Sequence, residues 1–149
     1  MDIKPFILVA EDDIDDKFLF KTVFEEGCST IGLEFVGNGV ELLNYLDKIK
    51  TSEIATPYPK LILLDLNMPK MNGKEALKKI KSEPSFSKIP VIIFSTTKNE
   101  KEIKNCYDLG ADSYLVKPSS YDSFLSTIET IKDYCFNFFK MKHKTLVLE

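Results

Sequence analysis

Five short apolar runs, separated by longer stretches with helical periodicity, constrain the fold of this chain more than any other feature. The runs are Phe6–Ala10, Leu33–Val36, Leu61–Leu64, Val91–Phe94 and Ser113–Val116. Runs of four or five residues of this kind are typical of strands buried on both faces, as in a parallel sheet covered by helices. Parallel neighbours need crossover connections, and helices supply them. The sequence therefore predicts five parallel strands that alternate with five helices.

Helix signals fall in the stretches that follow each run. Asn38 and Asn72 stand at positions typical of N-caps. Thr97–Glu100 has the pattern of a capping box that opens the fourth helix, and Ser119 or Ser120 caps the fifth. The apolar positions at helical spacing, predicted to face the core, are Ile14, Phe18, Leu19, Val23 and Phe24 in the first helix, Val40, Leu43, Leu46 and Ile49 in the second, Ala76, Leu77 and Ile80 in the third, Ile103, Cys106 and Leu109 in the fourth, and Phe124, Ile128, Ile131, Cys135 and Phe138 in the fifth.

This alternation predicts a three-layer, doubly wound α/β domain of flavodoxin-like type, with five parallel strands in the order 2-1-3-4-5. At 149 residues the chain is expected to form one domain with a sizeable core. We assign residues 1–140 to that domain and residues 141–149 to a C-terminal tail, whose final Leu148 and Glu149 resemble an expression scar. His143 is expected to be a solvated tail residue, because no partner for it is evident.

Composition excludes several classes of function. The net charge of −3, with both signs interspersed, argues against a nucleic-acid partner, which would require a basic face. The sequence has no apolar run near the ~20 residues of a membrane span and no recognisable signal peptide. Cys28, Cys106 and Cys135 are scattered and odd in number, which fits small apolar residues in a reducing compartment. We therefore expect a cytoplasmic protein.

Polar residues follow four of the five predicted strands. They are Glu11, Asp12 and Asp13 after the first, Asp65 after the third, Ser95 and Thr96 after the fourth, and Lys117 after the fifth. In an open parallel sheet, ligands bind outside the carboxyl ends of the strands. Because strands one, three, four and five are neighbours in the predicted order, Glu11 or Asp12 is expected to converge on one spot with Asp65, Ser95 and Lys117. The alternative is that they are unrelated polar residues at strand ends.

Three carboxylates in one cleft repel each other unless a cation compensates them. Mg²⁺ takes oxygen ligands and is often held by one or two carboxylates together with a phosphate. An aspartate can also accept a phosphoryl group as a nucleophile. Lys117 and Ser95 add a cation and a hydroxyl donor, so the set contains the parts that phosphoryl transfer needs.

Spaced motifs along the chain closely resemble one family. They are Val-Ala-Glu11-Asp12-Asp13, Leu-Leu-Asp65-Leu-Asn67-Met68-Pro69 with Asn72-Gly73 downstream, Phe-Ser95-Thr96, and Gly110-Ala-Asp-Ser-Tyr114-Leu-Val-Lys117-Pro118. Together, and in this order, they resemble the receiver domain of two-component response regulators, over about residues 5–139. The long Thr51–Lys60 loop resembles the single-domain subgroup of that family.

The resemblance implies a role for each polar residue. Asp65 would be the phosphoacceptor, and Lys117 and Ser95 would hold the phosphoryl group. Mg²⁺ would be bound by Asp12, Asp65 and the backbone carbonyl of Asn67, with Glu11 acting partly through water. The protein would be a signalling phosphoacceptor that catalyses only its own phosphorylation and dephosphorylation, and not an enzyme acting on another substrate.

The resemblance also implies a conformational switch. Ser95 would be drawn toward the phosphoryl group, and Tyr114 would swing into the space behind it. The alternative for Tyr114 is a core aromatic whose hydroxyl meets solvent. The peptide bond between Lys117 and Pro118 would be cis, as in the family.

The implied partners are a sensor histidine kinase or a histidine phosphotransfer protein, and a downstream protein target. Self-association as a homodimer, or docking of a partner, is also expected, because the last helix and tail carry more apolar residues than one buried stripe needs. These residues are Tyr134, Phe136, Phe138, Phe139, Leu146, Val147 and Leu148.

Three other functions compete with the phosphoacceptor. A pseudo-receiver that binds partners without phosphorylation would not need the intact set of Asp12, Asp65, Ser95 and Lys117. A Mg²⁺-dependent phosphatase with an aspartate nucleophile would need a second acid two residues after it, where Asn67 stands. A flavin-binding protein of the same fold would need a phosphate-binding loop after the first strand, and acids stand there instead.

Overall fold

The computed structural model describes residues 5–27, 31–136 and 144–147 of the chain. The strands are β1 (Phe6–Ala10), β2 (Gly32–Val36), β3 (Leu61–Leu64), β4 (Val91–Ser95), β5 (Ser113–Val116) and β6 (Lys144–Val147). The helices are α1 (Ile14–Gly27), α2 (Gly39–Lys50), α3 (Gly73–Ser82), α4 (Glu100–Asp108) and α5 (Tyr121–Phe136). No helix in the described part of the chain is both long and apolar enough to cross a membrane.

All strands lie parallel in one sheet of order β2-β1-β3-β4-β5-β6. The flavodoxin-like order 2-1-3-4-5 is therefore confirmed. In register, Val9 of β1 lies opposite Leu63 of β3, which lies opposite Ile92 of β4. This register places the carboxyl ends of the central strands at one edge of the sheet.

The sixth strand was not expected. Residues 141–149 were predicted to be a tail, but residues 144–147 pair with β5, where Tyr114 lies opposite Thr145. Without β6, the outer edge of β5 would present unpaired N–H and C=O groups, and the added strand satisfies them. The segment Lys144–Val147 contains only two apolar residues, which is too weak a pattern to predict this pairing.

The two faces of the sheet are covered by separate hydrophobic clusters. Leu8, Ile62 and Ile93 point to the face covered by α2, α3 and α4. Ile7, Leu63 and other alternate residues of the same strands point to the face covered by α1 and α5. Each fully buried aliphatic side chain contributes about 1.5–3 kcal/mol to folding, so burial on both faces explains why the central strands β1 and β3 are uniformly apolar.

The predicted caps are confirmed for three helices. The side-chain oxygens of Asn38 and Asn72 accept hydrogen bonds from the backbone N–H groups of Glu41 (2.9 Å) and Glu75 (3.0 Å). Ser120 Oγ accepts one from the N–H of Ser123 (3.2 Å) at the start of α5.

The predicted capping box of α4 is wrong. Asn99 caps this helix instead, accepting from the backbone N–H groups of Lys101 (2.9 Å) and Glu102 (3.1 Å). The backbone of Thr97 lies in the loop before the helix, where its N–H and C=O bond to Ser95 and Tyr114. Asn99 adjoins the first helical residue and is the better cap.

The residues predicted to face the core are also wrong in part for two helices, α1 and α2. In α1, Ile14 and Phe18 are 77% and 67% exposed, whereas Phe20 is buried. In α2, Val40 is exposed and Leu42 is buried. Residues two positions apart lie about 200° apart around a helix, so one stripe cannot bury both. The sequence contains apolar residues on two sides of these helices, and packing selects one.

Candidate functional site

Backbone hydrogen bonds continue past the strand ends and fix the residues that follow. The N–H of Asp65 donates to the carbonyl of Ala10 (3.1 Å), and the N–H of Glu11 donates to the carbonyl of Val36 (3.0 Å). The N–H of Lys117 donates to the carbonyl of Ser95 (2.8 Å). The backbone that carries the polar side chains at this edge is therefore fixed by hydrogen bonds.

Three carboxylates meet at this edge, as the sequence predicted. One oxygen from each of Glu11, Asp12 and Asp65 lies within 4.8 Å of the others. Glu11 and Asp65 are buried, and Asp12 is exposed. Burial raises the pKa of Glu11 from 4.5 to about 7 and also raises the pKa of Asp65, although Lys117 opposes both shifts. The carboxylates thus stand where a divalent cation would be favourable.

Lys117 supplies the opposite charge. Its Nζ lies 2.5 Å from Glu11 Oε1, 2.8 Å from Asp16 Oδ2 and 3.6 Å from Asp65 Oδ2. Burial by itself lowers the pKa of Lys117, but the hydrogen bond to Asp16 and the charges of Asp65 and Glu11 outweigh burial and raise it. The ammonium is therefore held charged beside Asp65.

The peptide bond between Lys117 and Pro118 is not cis. The described residues contain no cis peptide bond, so this prediction is contradicted. The trans form is the more stable one for X–Pro bonds. Lys117 reaches Glu11 and Asp16 from the trans backbone, so the charge pairing does not require the cis form.

Ser95 and Tyr114 are joined through the backbone of Thr97. The N–H of Thr97 donates to Ser95 Oγ (3.3 Å), and its carbonyl accepts from the Tyr114 hydroxyl (2.9 Å). Both Ser95 and Tyr114 are fully buried. Burial raises the pKa of Tyr114 to about 12, partly offset by a hydrogen bond with Ser95. Tyr114 is thus neither turned outward nor a core aromatic with a solvated hydroxyl.

The loop after Asp65 is held close to helix α3 by a glycine. A Cβ atom at Gly73 would lie 2.3 Å from the carbonyl oxygen of Asp65 and 2.8 Å from the Cα of Leu66. The N–H of Gly73 also donates to the carbonyl of Leu66 (3.0 Å). Glycine is therefore needed here because of close backbone approach. The N–H of Asn67 in the same loop points toward Asp65 Oδ1 (3.4 Å).

The structure brings most of the predicted site residues together. Glu11, Asp12, Asp65 and Lys117 come together, and Ser95 ends the neighbouring strand. A groove of about 540 Å³ runs beside them, and its lining includes Leu66, Asn67, Met68, Asn72, Lys74, Ser95, Thr97 and Glu102. The carbonyl of Asn67 as a metal ligand stays a prediction.

Sequence reasoning missed Asp16 as a member of the site. Its carboxylate accepts a hydrogen bond from Lys117 Nζ. The sequence did contain one signal for this role, because Asp16 stands in the first turn of α1, soon after the acids that follow β1. Asp13, by contrast, is exposed, and its Oδ1 accepts a hydrogen bond from the N–H of Asp16 (3.0 Å).

The donor set suits a hard cation. Carboxylate oxygens are the ligands that Mg²⁺ and similar ions prefer, and the described residues place three of them within 4.8 Å of one another. When all three are ionised, they contribute three negative charges against the single positive charge of Lys117. The acidic cluster formed by Glu11, Asp12 and Asp65 is therefore able to hold a metal ion.

Comparison with known proteins agrees with this geometry. A family profile for the response regulator receiver domain matches residues 7–129. The probable methanogenesis regulatory protein FilR2 of Methanothrix harundinacea is 33% identical over 131 residues, which cover 87% of this chain and 83% of FilR2. Response regulator Rcp1 of Synechocystis sp. is 31% identical over 128 residues, 86% of this chain and 86% of Rcp1.

Two solved structures show the same fold. The phosphorylated cyanobacterial phytochrome response regulator RcpA superposes with a TM-score of 0.82 at 31% identity, covering 90% of this chain and 95% of RcpA. The Mn²⁺-bound form of Rcp1 gives a TM-score of 0.79 at 31% identity, covering 87% of this chain and 93% of Rcp1. This chain therefore belongs to the response regulator receiver domains of two-component signalling.

Proposed function

We propose that this protein is a single-domain response regulator that accepts a phosphoryl group on Asp65 and signals by protein contact. The observation that carries the proposal is the position of Asp65, beside two further acids and with Lys117 Nζ 3.6 Å from its Oδ2. The relatives FilR2 and Rcp1, whose lengths are mostly covered by this chain, support a single-domain regulator.

Mg²⁺ is the proposed cofactor. Asp12, Asp65 and the backbone carbonyl of Asn67 would hold it, with Glu11 contributing partly through water. When bound, the ion would neutralise negative charge on the phosphoryl oxygens. The acidic cluster beside Lys117 supports a divalent cation here, and the similar response regulator Rcp1 has been solved in a Mn²⁺-bound form.

The chain's own residues perform the transfer. A carboxylate oxygen of Asp65 attacks the phosphorus of a phosphohistidine, the P–O bond forms, and the P–N bond breaks. The imidazole leaves with the electron pair and takes its proton from solvent. Lys117 and the Ser95 hydroxyl donate hydrogen bonds to phosphoryl oxygens, which position the group and offset its charge. Hydrolysis of the acyl phosphate later restores Asp65.

The same hydroxyl would start the switch. When Ser95 Oγ turns to the phosphoryl group, it leaves the N–H of Thr97, and the carbonyl of Thr97 then shifts relative to the Tyr114 hydroxyl. The ring of Tyr114 is already buried, so we propose that its hydroxyl changes partner and the ring need not swing inward. The face formed by α4, β5 and α5 would carry this change to a target.

The proposed partners follow from this chemistry. Receiver domains interact with histidine kinases or phosphotransfer proteins and with downstream targets, and we propose one of each for this chain, in the cytoplasm. The homodimer expected from the last helix remains a proposal, because Phe138, Phe139 and Leu148 lie outside the described residues and Tyr134 is buried.

The test is phosphorylation by acetyl phosphate with Mg²⁺, read by intact mass. The wild-type protein is expected to gain one phosphoryl group, and Asp65→Asn is expected to gain none. Asp47→Asn, at an exposed position of α2, is the matched control and should behave as wild type. Equal uptake by Asp65→Asn and wild type would overturn the assignment.

A further inference from the structure

Asp16 is a fourth acid of the site that the receiver motifs do not include. It lies in the first turn of α1, and its Oδ2 accepts a hydrogen bond from Lys117 Nζ at 2.8 Å. Its backbone N–H is in turn held by Asp13 Oδ1 at 3.0 Å. The carboxylate is therefore fixed in place beside the lysine.

The pairing of Lys117 with Asp16 is closer than its pairing with Asp65. The two distances from Nζ are 2.8 Å and 3.6 Å, and only the first is a hydrogen bond. The side chain of Lys117 is 8% exposed and that of Asp16 is 20% exposed. An ion pair with so little solvent is stronger than one on an open surface.

The pairing with Asp16 matters because the Lys117 ammonium has a limited number of hydrogen-bond donors. A lysine ammonium has three donors, and here two of them bond to Glu11 and Asp16. Phosphorylation of Asp65 would add negatively charged oxygens that also need Lys117. Asp16 therefore offers the lysine an alternative anionic partner whose charge also repels an incoming phosphodonor.

We propose that Asp16 restrains Lys117 in the unphosphorylated protein and thereby limits phosphoryl transfer to Asp65. It is a positioning residue, because it acts through Lys117 and does not touch the reacting atoms. The inference rests on the proposed function of Asp65 as phosphoacceptor. It assigns to Asp16 a part in setting how readily the regulator is phosphorylated.

The test compares Asp16→Asn with wild type in acetyl phosphate and Mg²⁺. The variant keeps the size of the side chain and removes its charge. Its initial rate of phosphorylation, followed by intact mass, is expected to rise about three- to ten-fold, the size expected when one charge beside a partly buried cation is removed. A merely structural role would lower the rate or leave it unchanged.

Asp15→Asn is the matched control, because Asp15 is the exposed neighbour in the same helix turn. It should phosphorylate at the wild-type rate. An Asp16→Asn rate equal to or below wild type, or an equal rise in both variants, would overturn the inference. If Asp16→Asn does not fold, as judged by thermal melting, Asp16→Ser removes the same charge and takes its place.

Failure of the proposed function would look different. If wild type takes up no phosphoryl group, or if Asp65→Asn takes up as much as wild type, the role of Asp65 is wrong and this inference falls with it. If wild type is phosphorylated on Asp65 and Asp16→Asn is no faster, only the role of Asp16 is wrong.

Discussion

Charge balance around Lys117 determines the resting state of the site. Its ammonium is hydrogen-bonded to Glu11 and Asp16 and lies 3.6 Å from Asp65, so one cation faces three carboxylates. The excess of negative charge is partly relieved by protonation, because burial raises the pKa of Glu11 to about 7. The same excess would favour a divalent cation, which would displace the proton.

The raised pKa of Glu11 predicts an unusual pH dependence of stability without divalent cations. Between its ordinary pKa of 4.5 and about 7, the folded protein keeps a proton that the unfolded chain has lost. The free energy of unfolding should therefore fall as pH rises from about 5 to 7, by roughly 1–3 kcal/mol, and level off above that. Urea denaturation in EDTA at several pH values measures this.

Glu11→Gln is the control, because it removes the titrating group and keeps the shape. Its free energy of unfolding should change less between pH 5 and 7 than that of wild type. If both proteins showed the same slope, protonation of Glu11 in the folded state would be ruled out as its cause.

At the residue scale, the sequence predicted the acids and the lysine but not all of their partners. Glu11, Asp12, Asp65 and Lys117 follow apolar strands, and parallel order alone brings them together. The pairing with Asp16 depends on the rotation of α1 about its axis. That rotation is set by which apolar stripe packs, and the sequence offers two.

At the scale of elements, the loop between β3 and α3 is held by close backbone contact with the start of the helix. Gly73 begins α3 against the backbone of Asp65 and Leu66, where a Cβ atom does not fit. The next loop carries Thr97, whose backbone joins Ser95 to Tyr114. The residues proposed for transfer and for switching are thus positioned by two short connections on neighbouring strands.

Gly73→Ala is predicted to harm both stability and phosphorylation. The added methyl group requires the backbone of Asp65 and Leu66 to shift, which should cost about 1–3 kcal/mol of unfolding free energy. Phosphorylation by acetyl phosphate should also slow, because Asp65 moves with its backbone. Urea denaturation and intact mass measure the two effects.

Gly37→Ala is the matched control for the methyl group. The nearest side-chain atom to a Cβ at Gly37 is Glu41 Oε2 at 3.5 Å, an ordinary contact. It should change stability by less than about 0.5 kcal/mol. Equal losses in the two variants would show that close approach at Gly73 is not the cause.

Element prediction succeeded where local signals agreed with packing. The caps Asn38 and Asn72 directly precede their helices, and both were predicted. The cap of α4 was missed because the Thr97–Glu100 pattern competed with Asn99. The backbone of Thr97 bonds to Ser95 of β4 and Tyr114 of β5, so Asn99 caps the helix. Strand β6 was missed because it pairs with an edge far away in sequence, and such pairing has no local signal.

At the scale of the whole molecule, parallel topology creates the site. β1 and β3 lie side by side within the sheet, with helices on both faces, so their carboxyl ends open at one edge. The alternation of strands and helices was sufficient to predict this architecture. The identities of the kinase and of the target have no such signal, because they depend on complementary surfaces of other proteins.

Mg²⁺ is predicted to stabilise the whole domain. An ion that binds only the folded state adds about 2.7 kcal/mol to the free energy of unfolding at one hundred times its dissociation constant. Asp12→Asn, which removes one proposed ligand, should lose most of this gain. Urea denaturation with MgCl₂, against NaCl of equal ionic strength, measures it. An equal gain in Asp12→Asn and wild type would mean that the ion binds elsewhere.

The most direct test of the account is to locate the phosphoryl group within the chain. The protein is phosphorylated with acetyl phosphate and Mg²⁺, then treated with borohydride, which reduces an aspartyl phosphate to homoserine, and its peptides are sequenced by mass spectrometry. The account predicts homoserine at position 65 alone. Modification at Asp12 or Asp13, with Asp65 intact, would contradict it.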